Sequence, residues 1–371
     1  MARAWADVSL DAVAANVETL RSVCAPADVC AVVKADGYGH GAVPVAGAAV
    51  EAGAAWLAVA QIAEATALRS AGIVAPILLL SEPRVRDLDE VIAAGVAVTV
   101  YTADLGRRLG AAARAGGHPV PVHLKVDTGM HRVGAAPADV VGIARIVDAD
   151  PHLSLDAVWT HCAVADEPDD PFTSQQLERY DAAVAEVEAA GIAVPMRHAA
   201  NSAAAIAHPA SRYDLVRAGI ALYGIAPAPE LVDRVALEPV VRLATEVAFV
   251  KPLAAGEGIS YGLRHHATRD TTVATLPIGY ADGVFRALGV AGQDVLIGGR
   301  RYPMVGVVTM DQVMVDLGPH SDVAVGEEAV LLGAQGAQRI SPDEWAARLG
   351  TVSYEVVCAL GARVERRYGN S

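Results

Sequence analysis

Cys30-Ala-Val-Val-Lys34-Ala-Asp-Gly-Tyr38-Gly-His40-Gly41 is the stretch on which the reading of this chain turns. The apolar run over 29–33 has the length and β-branched content of a short buried strand. It ends on a lysine, and Gly37, Gly39 and Gly41 demand a tight turn directly afterwards. A lysine at the mouth of an apolar strand is costly to bury while charged, so it either snorkels to water or is used chemically. The residues by themselves leave both readings of Lys34 open.

Outward from this stretch, short aliphatic runs alternate with Ala-rich helical stretches. The runs lie at 29–33, 56–60, 76–80, 96–101, 120–126, 155–160, 196–200 and 215–217. The stretches between them include 42–52, 62–70, 85–94, 103–115, 138–148 and 174–190. Eight such units fill the span that a (β/α)8 barrel of TIM type needs, and 10–23 before them reads as a helix capped by Asp7 or Ser9. An open doubly wound sheet shares the alternation, but no G-x-G-x-x-G opens a helix after any strand. From about Glu238 the texture shifts to short runs at 245–250, 272–276, 294–297, 304–308, 313–317 and 329–332, punctuated by Gly and Pro. Ser341-Pro-Asp-Glu344 opens one helix among them. The expectation is an α/β protein: a barrel over 1–238, then a smaller, mostly β domain over 239–371 with which the first few residues can pack.

At 371 residues and 53% hydrophobic content the chain has enough apolar surface for two cores. A net charge of −14, without a basic stripe, speaks against a nucleic-acid partner. The start lacks the apolar core of a secretory signal, and the Ala/Val-rich region 41–61 is broken by Pro44, Glu51 and Gly53, so no membrane span is expected. Cys24, Cys30, Cys162 and Cys358 show neither zinc nor redox spacing and read as buried thiols of a cytoplasmic protein.

Reactive residues gather where the strands end: Lys34, Lys125, His161, Asn201 and Arg217. A parallel barrel brings all strand C-termini to one face, which makes that face the expected active site. His198, His208 and His265-His266 lack metal-ligand grouping and read as surface or structural, and Asp166-Glu-Pro-Asp-Asp170 as a solvated loop; no metal is expected. Arg217 on these grounds alone favours an ion pair with Asp214, and Ser202 suits both a phosphate and plain helix capping.

AVVKADGYGHG (31–41) resembles the cofactor-lysine motif of the alanine racemase family. The resemblance recurs in HLKVDTGMHRVG (123–134), AANSAAAI (199–206), DLVRAGIALYG (214–224), GEGISYG (256–262), IGYADG (278–283), TMDQ (309–312) and SYEVVC (353–358), in family order and almost end to end. It implies an isomerase that interconverts L- and D-alanine for cell-wall precursors, with pyridoxal 5′-phosphate (PLP) carried on Lys34 as a Schiff base. By the same resemblance Tyr38, Ser202, the backbone of Gly219 and Ile220, and Tyr354 hold the phosphate, with Asn201 beside them, and Arg217 meets the pyridine nitrogen. Racemisation needs a base on each face of Cα. Lys34 supplies one, and Tyr261 resembles the other, linked through His161 to Arg217. In the family that tyrosine comes from the partner subunit, which implies a homodimer with shared sites. Arg132 matches the residue that holds the substrate carboxylate side, Lys125 a lysine carboxylated in some members, Met310 and Asp311 partner residues lining the substrate, and Tyr280 a tyrosine at the entrance. Gly37, Cys162 and His131 depart from the alanine, phenylalanine and glycine common at their positions. A serine or broader racemase, a non-catalytic PLP-carrier barrel and a basic-amino-acid decarboxylase are the rival readings; Tyr261 and the β domain oppose the second, Arg217 the third.

Overall fold

Eight parallel strands pair in sequence order in the computed structural model, which describes residues 4–369. They are Asp28–Val32, Trp56–Val59, Ile77–Leu79, Ala97–Val100, Val120–Lys125, Leu153–Trp159, Met196–His198 and Leu215–Ala218. The last strand pairs back on the first, with Cys30 opposite Arg217. At the seam between the seventh and eighth strands, Asp214 N–H donates to Arg197 O at 3.0 Å and Arg217 N–H to Ala200 O at 3.0 Å. The sheet therefore closes into a barrel whose strands are buried on both faces over most of their length, which is why these runs are rich in Val, Leu, Ile and Ala.

The intervening helices are set by local signals. Thr102 accepts the Leu105 N–H at 3.2 Å to start Ala103–Gly116, and Gly117 ends it at φ 77. Leu105, Leu109 and Ala113, four residues apart, bury its inner stripe. The stretch expected to be helical from 85 begins as a 3-10 turn, Val85–Asp87, and becomes α-helical only at Leu88–Ala94. This barrel unit comprises Asp11–Gly37 and Ala42–Glu238.

A second unit comprises residues 4–10, Tyr38–Gly41 and 239–369. Its largest sheet runs in the order Arg300–Pro303, Asp294–Ile297, Glu328–Gln335, Val241–Glu246, Ala4–Ser9 and Glu365–Gly369, with Gln338–Ile340 on Glu328–Gln335. Phe249–Leu253, Thr271–Leu276 and Val313–Gly318 form a second sheet. The run read as one strand over 245–250 is thus divided between two sheets, and of 304–308 only Met304 makes a bridge, to Val315. Asp7, expected to cap the first helix, lies in a strand and accepts from Arg242 Nη1 at 3.0 Å. Cys24, Cys30 and Cys162 are buried, but Cys358, expected to be so, is exposed. Among the described residues no helix is long and apolar enough to cross a membrane.

Asn16, 1% exposed on the helix Leu10–Cys24, ties that helix to the end of the barrel chain. Its Nδ2 donates to Leu222 O at 3.2 Å and Glu238 O at 2.8 Å, and its Oδ1 accepts the Glu238 N–H at 2.7 Å. Truncation leaves the buried Leu222 carbonyl and the part-buried Glu238 backbone groups without this partner. Asn16→Ala is expected to lower unfolding stability by about 2–4 kcal/mol, read as a lower urea midpoint with unchanged slope; an unchanged midpoint would refute the assignment.

Candidate active site

Strand register assembles the barrel part of the site. Lys125 pairs with Trp159, and Trp159 with His198, so three neighbouring strands bring these residues to one level. Trp159 stacks on His198 with centroids 5.4 Å apart and planes 12° apart. The Lys125 ammonium and the Arg217 guanidinium each lie 4.5 Å from the Trp159 ring centroid.

Arg217 is 3% exposed and is held by neutral acceptors. Nη1 donates to His198 Nδ1 at 2.7 Å, and Nη2 to Thr160 O at 2.8 Å, Ala199 O at 2.9 Å and His161 Nδ1 at 3.2 Å. The ion pair with Asp214 favoured on sequence grounds is absent, because Asp214 Oδ2 accepts the Arg197 backbone N–H at 2.7 Å. The Nε–H of Arg217 has no protein partner among the described residues.

Arginine only donates, so Nδ1 of both His161 and His198 must accept, and each ring carries its proton on Nε2. From there His198 donates to His123 Nδ1 at 3.1 Å. Burial and then the Arg217 charge hold His161 and His198 well below the usual histidine range, and bring His123 to about 3. Of the two roles expected of His198, surface or structural, the structural one holds: it is a buried support of Arg217. A polar residue inside each of two barrel strands, at His123 and at His198, was the available signal.

Lys125 is pulled down to about 7 by burial, then by Arg217 and Arg132, with Asp127 opposing and Lys34 adding to the fall. After burial, Arg217, Lys125, Arg132 and Lys34 in that order lower His161. So much positive charge beside one partly buried carboxylate, Asp127, suits a ligand with several anionic oxygens.

At the end of the seventh strand Asn201, not Ser202, caps the helix Ser202–Ala207, its side chain accepting the Ala204 N–H at 2.9 Å. Ser202 Oγ instead accepts the Gly219 N–H at 2.8 Å and the Ala221 N–H at 3.4 Å, and Ile220 begins the 3-10 turn beside them. Lys34 itself is followed by a left-handed turn, with φ of 51 at Ala35, 52 at Asp36 and 60 at Gly37. Each non-glycine residue in that conformation costs about 1–2 kcal/mol.

The remaining candidates belong to the second unit. Tyr38 and Tyr354 place their rings 6.3 Å apart, and burial, then Tyr354 and Cys358, push the Tyr38 phenol above its ordinary range. Tyr261 stands between the paired strands Gly258–Ile259 and His265–His266, 73% exposed beside a cleft of about 550 Å³ lined by Lys251, Ser260, Thr309 and Gln312. Ser260 before it has φ 63, and its Oγ donates to Val307 O at 2.7 Å. Tyr280 and Met310 are exposed on two loops joined by Tyr280 N–H to Thr309 O at 3.0 Å and Ala281 N–H to Met310 O at 3.1 Å. Arg363 braces them, donating to Asp282 and Asp311 at 2.9 Å each. The barrel thus assembles Lys34, Lys125, Arg132, His161, Asn201, Ser202, Arg217, Gly219 and Ile220, whereas Tyr38, Tyr261, Tyr280, Met310, Asp311 and Tyr354 lie on the second unit.

Residues 8–227 match the profile of the alanine racemase N-terminal domain, and residues 240–368 that of the alanine racemase C-terminal domain. The chain is 48% identical over 365 residues to the alanine racemase of Symbiobacterium thermophilum, covering 98% of this chain and 97% of that one. It superposes with a TM-score of 0.94 and 39% identity on the crystal structure of alanine racemase from a D-cycloserine-producing Streptomyces lavendulae, covering 100% of this chain and 98% of that one. A histidine racemase from Leuconostoc mesenteroides subsp. sake shares the fold at a TM-score of 0.91 and 27% identity, covering 99% of this chain and 98% of that one. With both domain profiles matched in order and such identity along the whole length, this chain belongs to the alanine racemase family.

Proposed function

We propose that the chain is a PLP-dependent isomerase that interconverts L- and D-alanine by a two-base mechanism, with Lys34 and Tyr261 on opposite faces of the substrate. The observation that carries the reading is Arg217, a buried guanidinium whose two amino groups are tied down while Nε–H remains as a donor. That donor chemistry fits a pyridine nitrogen that is to stay unprotonated. PLP when bound acidifies the Cα–H of the amino acid it holds. Lys34 is the residue that would carry it, and Ser202, Asn201 and the amides of Gly219 and Ile220 the groups for its phosphate, joined by Tyr38 and Tyr354 on the ground of resemblance.

The roles of the bases follow from protonation. A phenol, with a pKa of about 10, works as a base near neutrality only if its anion is stabilised. His161 is neutral and, with Nδ1 taken by Arg217, offers Nε2–H as the donor such an anion needs. Arg132 suits the substrate carboxylate, Met310 and Asp311 the lining of its pocket, and Tyr280 the entrance. The exposure of Tyr261 and Met310 supports a homodimer in which each copy lends these residues to the other's site. A cytoplasmic location and a role in cell-wall precursor supply belong to the same reading. The histidine racemase fold-mate lends support to a broader amino-acid range as the alternative.

In deuterated water L-alanine is expected to yield D-alanine carrying deuterium at Cα, and borohydride to fix the coenzyme on Lys34; no exchange, or a label elsewhere, would sink the assignment. Tyr261→Phe is expected to slow proton removal from L-alanine by about 10²–10⁴-fold with coenzyme uptake little changed. Mixed Lys34→Ala and Tyr261→Ala chains are expected to regain activity through sites built from one intact residue of each, and no rescue would count against sharing. For Lys125, the fall to about 7 leaves a neutral amine above that pH, able to add to CO2 and release a proton, so that a carbamate orients Arg132. The expected outcome is activity lost on CO2 removal, restored by bicarbonate above pH 7 and progressively less below it as Lys125 takes up a proton; activity indifferent to CO2 would exclude the modification.

A further inference from the structure

The left-handed turn after Lys34 has three non-glycine residues with positive φ, Ala35 at 51, Asp36 at 52 and Tyr38 at 52. Such a conformation persists only where neighbouring groups hold it. Two of the bonds that hold it are internal to the segment: Gly37 N–H to Val33 O at 2.9 Å, and Ala42 N–H to Asp36 Oδ1 at 2.9 Å. The third comes from the next βα unit. Glu64, in the first turn of the helix Ile62–Ser70, accepts the Ala35 N–H on Oε1 at 2.7 Å. Its Oε2 accepts the N–H groups of Ala60 at 2.8 Å and Gln61 at 3.0 Å.

Helix capping accounts for the bond to Gln61 but not for the one to Ala35, 29 residues away. One carboxylate therefore fastens the residue directly after Lys34 to the end of the second barrel strand. Its charge makes the N–H bonds stronger than a neutral acceptor would.

We propose that Glu64 is a positioning residue for the reaction: by holding the Ala35 N–H it keeps the turn left-handed and sets the direction in which the Lys34 side chain leaves the first barrel strand. This rests on the reading of Lys34 as the coenzyme's carrier. No step of the chemistry passes through Glu64, and its effect is on where the amine stands.

The test uses the full chain with Glu64→Ala, alone and combined with Ala35→Gly or Gln61→Asp, read by hydrogen exchange over residues 33–41, by the dissociation constant for PLP and by thermal midpoint. Glu64→Ala is expected to raise exchange in that segment and to weaken PLP binding by about tenfold. Ala35→Gly, which removes the steric penalty at that position, is expected to recover much of the binding. Gln61→Asp, a better cap, is expected to recover the thermal midpoint and not the binding. Unchanged exchange in Glu64→Ala, PLP affinity within about twofold of wild type, or recovery of affinity by Gln61→Asp would each reduce Glu64 to a helix cap and overturn the proposal. Should Glu64→Ala fail to fold, Glu64→Gln takes its place with the same outcomes at about threefold. Wild-type protein that takes up no PLP would defeat the functional reading, while the exchange data alone would still decide whether Glu64 holds the turn.

Discussion

A guanidinium shut inside the barrel without a carboxylate governs much of the site. Removing a lone charge from water costs several kcal/mol, about what a marginally stable domain has to spare, unless other groups replace the solvent. Around Arg217 the replacement is two imidazoles, two backbone carbonyls and the face of Trp159. Since all of these are neutral, the positive charge is felt by everything nearby. After burial, which is the larger cause, it holds His161, His198 and His123 below the usual histidine range, makes Nδ1 of His161 and His198 acceptors, and helps bring Lys125 to about 7. Burial also brings Arg217 itself down to about 10, which leaves it charged near neutrality.

The two candidate bases are presented in a similar manner. Lys34 leads into a left-handed turn, and Tyr261 follows Ser260, whose φ is also positive at 63. Gly306 allows the second of these, because a Cβ there would stand 2.9 Å from the Ser260 Cβ. Strained backbone of this kind is found where a side chain must be aimed, and in both places it is tied by side-chain hydrogen bonds: Glu64 to Ala35, and Ser260 to Val307.

Much of the barrel could be read from alternation alone, because strands buried on both faces must be apolar throughout and their ends must meet on one side. Lys34, Lys125, His161, Asn201 and Arg217 stand at such strand ends and were legible on that ground. The support that His198 and His123 give Arg217 was not legible. Met196–His198 is only three residues long, too short for a pattern to show which way its polar residue points. The favoured Asp214–Arg217 pair failed for a reason legible in spacing: residues three apart along an extended segment face opposite sides. Asn201 and Ser202 are adjacent and both able to cap, so only the backbone path decided between them. His131 has φ 53, a left-handed backbone that a glycine adopts without steric cost, which is the physical reason the resemblance pairs this position with glycine.

By itself the sequence determined the alternation of strands and helices in the barrel, the change to a β-rich second unit, and the motifs that identify the family. These depend on local periodicity and on residues close together in the chain. Only tertiary structure decided the charge states and tautomers, the partner of each donor of Arg217, and the clasp between Glu64 and Ala35. Those depend on distances across strands far apart in sequence and on how thoroughly water is excluded, and neither is written in any one segment.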